Sequence, residues 1–515
     1  MSESSMPVEL ASAESPLSLP KTNLLLIPDQ TSLWRGLALI LALAASFLAQ
    51  LPVSYDFANF VFYDPGVSLR TDQLIAQGYI PSIDFGYPYG LLTLMIGRIF
   101  FALAGRTPAG YLLFMFLAEA AIVWGMWRLA ARWNWLAIGF LIAAIPHAII
   151  PIYVHFTHPL EAALIIHAIA DIATGRRARA LALATACIFI KPVMTYGLGL
   201  ILLIWMIVRT VRQKKDWVSF AYALLPAVLT GVVCLLLTIA YFGFAPLKNT
   251  LLPLLGAKSY QALDFGLFGN GRTFWWPNLD SASEYAKYYL FTPAGFWVLC
   301  TLLLAGFGFR SLLGFFRRST AKHETMVTVA ACHFFFLFVF FGWPGSWTYY
   351  SYLLVIGVGF ALTLYHVRPV LVMALILVAL MGHTQTYRIA ANAWQWAKRS
   401  PETAGLWAHA DQRDDWEKAR AIAGTRETFY LNNGCPEVLF PNVRGPISFF
   451  LSPDSQTPEE FDHIRRQLEQ AEVVVTFNQG PILDAWYWPE FAKQRAEFVD
   501  TWQGKYLTVH ERKRP

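Results

Sequence analysis

Apolar residues in this chain come in long unbroken runs, at about 34–53, 109–127, 134–153, 159–174, 180–208, 218–243, 291–309, 325–342, 348–366 and 369–387. A membrane-crossing helix needs ~20 mostly apolar residues, so the pattern predicts a bundle of helices in a bilayer. Strands of a membrane barrel alternate apolar and polar residues in units of ~10; these runs are continuous, which argues against a barrel. The run 180–208 is too long for one span and carries Lys191-Pro192 in its interior. Proline stops a helix, so two helices should run up to Pro192 and back down from it. A break of this kind at membrane depth usually lines a cavity. The segment 88–105, PYGLLTLMIGRIFFALAG, has Arg98 at its centre, and a charge there disfavours a full crossing. It predicts a juxtamembrane helix.

Basic clusters punctuate the runs: Arg128 with Arg132; Arg176, Arg177 and Arg179; Arg209, Arg212, Lys214 and Lys215; Arg310, Arg317 and Arg318; Arg368. Short basic loops stay in the cytoplasm. All of these clusters fall on that side only if 88–105 does not cross. The expected architecture is a polytopic all-α membrane protein of about 11 spans followed by a small extracytoplasmic α/β domain. Residues 1–30 form a flexible cytosolic tail, 31–387 the transmembrane domain with external loops 54–108 and 244–290, and 388–515 the external domain. In that last part FYLN (429–432), VVVTF (473–477) and YLTVH (506–510) predict strands. Thr457-Pro458-Glu459-Glu460 is a capping box with proline at the first helical position, predicting a helix to about Ala471. The domain carries neither a phosphate loop nor a nucleophile elbow, so packing or acceptor docking is its expected role.

Composition agrees with the pattern. Of 515 residues 56% are hydrophobic and 14% charged, against about 25% charged in soluble domains; the mean hydropathy is +0.43. The net charge of +6 reports cytoplasmic loops rather than nucleic-acid binding. Cys187, Cys234, Cys300 and Cys332 lie in apolar runs and Cys435 in the tail; their spacing forms neither a disulfide framework nor a zinc site. The N-terminal residues lack the layout of a cleaved signal peptide, so the first run should be an uncleaved anchor.

Candidate chemistry gathers outside the first run. Between Ser54 and Gly90 stand Asp56, Asp64, Asp72 and Asp84 against the single cation Arg70. Solvation of a loop accounts for Asp56 and for Asp72, which lies in the amphipathic stretch SLRTDQLIAQ. Asp64 precedes Pro-Gly. Asp84 sits in IPSIDFGYPYG beside Tyr87 and Tyr89, whose rings offer flat amphipathic faces. Turn capping also explains either carboxylate. Lys191 is an ammonium inside an apolar run, which is costly and rarely idle, although a lysine can also snorkel to the surface. Arg272, in DFGLFGNGRTFWWP, lies beside glycine-rich backbone suited to an anion, or simply in a solvated loop; Trp275 and Trp276 suit sugar stacking or interfacial anchoring. His155 and His158 are spaced to share a divalent metal ion only on a continuous helix, which Pro159 argues against. A polar role facing the acceptor is expected for them and for Glu161, and no cofactor is expected.

The order of these elements resembles the first external loop of GT-C glycosyltransferases, and is similar to the aminoarabinose transferase and protein mannosyltransferase group. An acid follows the first helix, then an amphipathic helix ending in Gly-Tyr-Ile-Pro, then Asp-Phe and Tyr-Pro-Tyr-Gly. The stretch 157–204, from THPLEAAL to the lysine with its bend, matches the next elements of that family. Beyond 210 the match is architectural. The resemblance implies an enzyme of the bacterial inner membrane. It would move a sugar from a polyprenyl-phosphate donor to a glycan, lipid or protein acceptor on the periplasmic side. It makes Asp64 the acid that takes the acceptor's proton, with Asp84 nearby, Lys191 and Arg272 the cations for the leaving phosphate, and Tyr87, Tyr89, His155, His158 and Glu161 the contacts to sugar or acceptor. Several relatives carry an acid where this chain has His155 and His158, and Glu161 is the nearest substitute. A transporter would place ionisable groups along several central helices or repeat its halves. An O-antigen polymerase or ligase relies on arginines in a large later loop, where 244–290 has only Arg272.

Overall fold

A computed structural model describes residues 33–44 (less 35 and 42), 64–251 (less 86, 88, 107, 131–132, 150–156 and 213–216), 279–384 (less 318–319 and 340–349), 410–431, 458–478 and 491–513. The helices of the membrane part are α1 (Asp64–Ala76), α2 (Leu91–Ala104), α3 (Pro108–Ala130), α4 (Trp135–Ile149), α5 (Thr157–Ala173), α6 (Arg177–Ile188), α7 (Pro192–Arg212), α8 (Trp217–Phe242), α9 (Phe244–Leu251), α10 (Ala282–Phe291), α11 (Pro293–Arg317), α12 (Ala321–Val339), α13 (Ser351–Leu364) and α14 (Pro369–Gly382). Among the described residues three stretches are long and apolar enough to cross a membrane, Leu113–Ala130, Phe220–Phe242 and Pro293–Arg317, and five further helices are apolar but shorter. The expected first span, 34–53, lies largely outside the described residues.

Ion pairs show which helix ends meet. Arg128, near the end of α3, bonds Asp171 near the end of α5. Arg177 opens α6 and Arg209 closes α7, and both reach Glu324 at the start of α12. The chain therefore climbs along α6, turns at Lys191-Pro192 and descends along α7, as the proline predicts. Arg310 stacks over Tyr365 at the end of α13, 4.4 Å from the ring centre. The described basic clusters thus gather at the end of the bundle away from Lys191. The main core fills the space between helices α3 to α7 and α11 to α14, with Phe140, Phe296, Leu304 and Leu353 fully buried. On α8 the residues Leu225, Val228, Leu229 and Leu236 are exposed, which is the surface a helix presents to lipid.

Two sequence expectations change at the first external loop. Helix α1 starts at Asp64, so Pro65 and Gly66 fall inside its first turn, where a proline needs no backbone donor. Asp72 is not a solvated loop acid: it is 3% exposed and its carboxylate takes Arg98 of α2 at 3.1 Å and Arg106 at 2.5 Å. The partners lie 26 and 34 residues away, too distant for local pattern to reveal. The charge that argued against a crossing by 88–105 thus ties α2 to α1. With 14 residues, α2 is about 21 Å long, short of a ~30 Å hydrocarbon core.

The C-terminal part contains α15 (Ala410–Ala423), β1 (Thr428–Leu431), α16 (Pro458–Gln470), β2 (Val473–Phe477), β3 (Phe498–Gln503) and β4 (Leu507–Arg512). The sheet has the order β1-β2-β4-β3. β1 pairs β2 in parallel, with Phe429 opposite Val474, and β4 is antiparallel to both β2 and β3. α16 supplies the crossover that parallel neighbours require. Thr457 of the expected capping box lies outside the described residues, as does Cys435. Strand β3 was not expected: its sequence, FVDTWQ, is mostly exposed and lacks apolar alternation. A second core joins Val473, Val475, Leu507 and Trp416 of this domain with Leu69, Phe85, Tyr87 and Leu94 of the first loop and α2.

Candidate active site

Lys191 stands in the gap between α6 and α7, where Pro192 offers no backbone N–H and the helix cannot continue. The carbonyls before the break find partners on α2. Gly90 N–H donates to Ile190 O at 2.8 Å and Leu92 N–H to Phe189 O at 3.0 Å, and the Thr93 hydroxyl reaches Ile190 O at 3.4 Å. Such close backbone approach requires glycine, because a Cβ on residue 90 would stand 2.1 Å from Phe189 O. The first loop is thereby clamped onto the helix break.

The Lys191 ammonium is almost buried. It lies 2.8 Å from His158 Nδ1 and 3.6 Å from Glu161 Oε2, with the rings of Tyr89 and Tyr350 at 5.7 and 5.3 Å from Nζ. An ammonium only donates, so His158 accepts at Nδ1 and carries its proton on Nε2. The Tyr350 hydroxyl donates to Glu161 Oε1 at 3.4 Å, and the Tyr89 ring meets His158 edge-on at 6.0 Å. Pro159 falls in the first turn of α5, and His155, whose place on one helix with His158 the proline argued against, lies outside the described residues. α5 starts at Thr157, so the proline occupies its first turn and His158 and Glu161 share one face at i and i+3. Four segments distant in sequence thus meet around one cation: the first loop, the start of α5, the helix break and the start of α13.

The remaining candidates divide. Tyr87 is packed in the second core, 4% exposed; burial pushes its phenol up from the ordinary value, with the Thr157 hydroxyl opposing. It meets Tyr89 edge-on at 5.7 Å, so it buttresses that ring. Asp84 is exposed and its Oδ2 accepts from the Ile80 N–H at 2.6 Å, closing a turn in which Ser82 takes a positive φ of 61°. Asp64 is the first residue of α1. His155, Arg272, Trp275 and Trp276 lie outside the described residues. Among the described residues no group of three His, Cys, Asp or Glu side chains is arranged to hold a metal. Tyr350 escaped the sequence reading: in GSWTYYSYLL it looks like one more interfacial aromatic, and only the approach of α5, 189 residues away, gives it a carboxylate.

No protein-family model matches the sequence, and no curated protein does. Among solved structures, the chain is similar to the crystal structure of ArnT from Cupriavidus metallidurans bound to undecaprenyl phosphate, at 15% sequence identity and a TM-score of 0.50, over 93% of this chain and 97% of that one. Identity at this level speaks for architecture alone: over nearly its full length this chain has an ArnT-like fold.

Proposed function

We propose that the chain is an integral membrane glycosyltransferase that moves a sugar from a polyprenyl-phosphate donor to an acceptor on the extracytoplasmic face of a bacterial inner membrane. One observation carries the reading. A nearly buried ammonium, Lys191, sits at a helix break among Tyr89, His158, Glu161 and Tyr350, in a fold shared with a protein whose crystal structure holds undecaprenyl phosphate. Lys191 keeps its carboxylate at 3.6 Å and stands closer, at 2.8 Å, to an imidazole nitrogen, an arrangement in which a phosphate oxygen can join the ammonium's acceptors.

In this reading the acceptor oxygen attacks the anomeric carbon and the bond from that carbon to the phosphate oxygen breaks. The polyprenyl phosphate leaves with both electrons, stabilised by Lys191 and by Arg272 as the second cation. The acceptor's proton passes to a carboxylate, for which Asp64 at the start of α1 is the candidate. A phosphate is already a good leaving group, so the second carboxyl that glycoside hydrolysis requires is not needed, and Asp84 is left as a turn residue. Tyr89 and the His158 Nε2–H face sugar or acceptor. The C-terminal sheet shares its core with the first loop, which supports placing both on the extracytoplasmic side. Mass spectrometry of the purified full chain tests the reading. A co-purifying polyprenyl-phosphate sugar or polyprenyl phosphate, depleted in Lys191→Met, is expected; wild-type protein that neither retains nor binds such a lipid contradicts it.

A further inference from the structure

At the end of the bundle away from Lys191, an open cleft of about 430 Å³ lies between the start of α6 and helices α7 and α8. Its lining includes Arg176, Arg177, Arg179 and Arg209 together with the apolar Met206 and Phe220. The acids nearby are outnumbered. Glu324 holds Arg177, with Nε at 2.9 Å, and Arg209 at 3.4 Å. Asp171 holds Arg128 and, at 3.0 Å, Arg179. Arg176 is exposed and meets no acid among the described residues. Among the described residues around the cleft, five guanidinium groups, Arg128 included, are therefore set against two carboxylates.

Two further features point to the class of ligand. The first turn of α6 lines the same cleft, and its cap residue, Arg176, places no side-chain acceptor over the first amides. Those donors lack partners within the helix and favour an anion. The apolar part of the lining, Met206, Phe220 and Ala223, leads onto α8, whose window Phe220–Phe242 is only 17% buried. A bound anion would thus sit on the arginines while an attached chain ran down a lipid-facing helix. Basic pockets between membrane helices suit phosphate headgroups.

We infer that the cleft formed by Arg176, Arg177, Arg179 and Arg209 with Met206 and Phe220 is a second phosphate-binding site, separate from the Lys191 cluster and taking the headgroup of an anionic phospholipid. The test uses the full chain reconstituted in vesicles of equal phosphatidylglycerol and phosphatidylcholine, extracted and weighed intact by native mass spectrometry, with a parallel arm in inorganic phosphate. Wild type should retain phosphatidylglycerol over phosphatidylcholine, and Arg176→Gln with Arg179→Gln should lower that preference roughly thirtyfold, two basic groups near a membrane surface contributing about 1 kcal/mol each. Arg179→Gln leaves Asp171 less well paired, so Ala223→Trp, which fills the cleft and keeps every arginine, gives an independent variant with the same expected loss. If lipid retention is flat while inorganic phosphate stabilises wild type and neither variant, the site is for phosphate and its source is soluble. Equal lipid ratios and equal phosphate response in all three proteins would overturn the inference.

Discussion

The two ends of the helical bundle both bury charge, and they do so differently. At the arginine end each acid is gripped by two cations from neighbouring elements: Asp171 by Arg128 and Arg179, Glu324 by Arg177 and Arg209. These contacts join α3 to α5 and the hairpin α6–α7 to α12, and each carboxylate is shared by two guanidinium groups. At the other end a single ammonium stands in a helix break, with its acid at 3.6 Å and an imidazole and two phenol rings among its described neighbours. A carboxylate shared in this way holds helices together. A cation surrounded mainly by neutral groups keeps more of its field for a ligand, which an apolar setting strengthens. The difference teaches that buried charge in this chain is paired acid by acid at one end and left to one carboxylate among neutral groups at the other, the contrast on which the proposed donor site rests.

The contrast can be broken at several points. The largest effect should come from Gly90→Val, since even a Cβ would stand 2.1 Å from Phe189 O. The first loop would be forced off the helix break, and the protein should fail to accumulate in the membrane, read by fluorescence-detected chromatography. Next is Glu324→Gln, which leaves Arg177 and Arg209 without their carboxylate. Breaking a buried pair costs about 3–5 kcal/mol, and partial exposure of Arg209 puts the expected loss toward the lower end. The thermal midpoint should fall while donor affinity holds; a donor defect with unchanged stability would reverse the roles of the two ends. Asp72→Asn comes third. It loosens α1 from α2 by about 1–3 kcal/mol, with weaker turnover through misplacement of the first loop rather than through lost chemistry, so the acceptor KM should move more than the pH profile. Asp84→Ala should do least, less than about 1 kcal/mol and no loss of turnover, because its carboxylate serves an exposed turn. Abolished turnover in that variant with normal folding would return Asp84 to the chemistry.

Much of the architecture was legible because it is written in local pattern. Run lengths, the proline inside 180–208 and the positions of arginines predicted the α6–α7 hairpin and the gathering of basic residues at one end. Three of the strands were visible as short β-branched and aromatic runs. What stayed hidden depends on distant partners. Asp72 reads as a solvated acid until Arg98 and Arg106 fold back on it, and Tyr350 reads as a belt aromatic until Glu161 arrives. β3 escaped because an exposed strand needs no apolar face.

The central claim is that Lys191, and not the arginine end, holds the donor phosphate. Undecaprenyl phosphate binding to wild type, Lys191→Met and Glu324→Gln, measured on purified full-length protein in the same detergent, tests it most directly. Lys191→Met should bind at least about tenfold more weakly, as expected for loss of one charge-assisted contact, with Glu324→Gln unchanged. Equal affinity for wild type and a well-folded Lys191→Met would contradict the claim and leave the ammonium as the closure of a helix break.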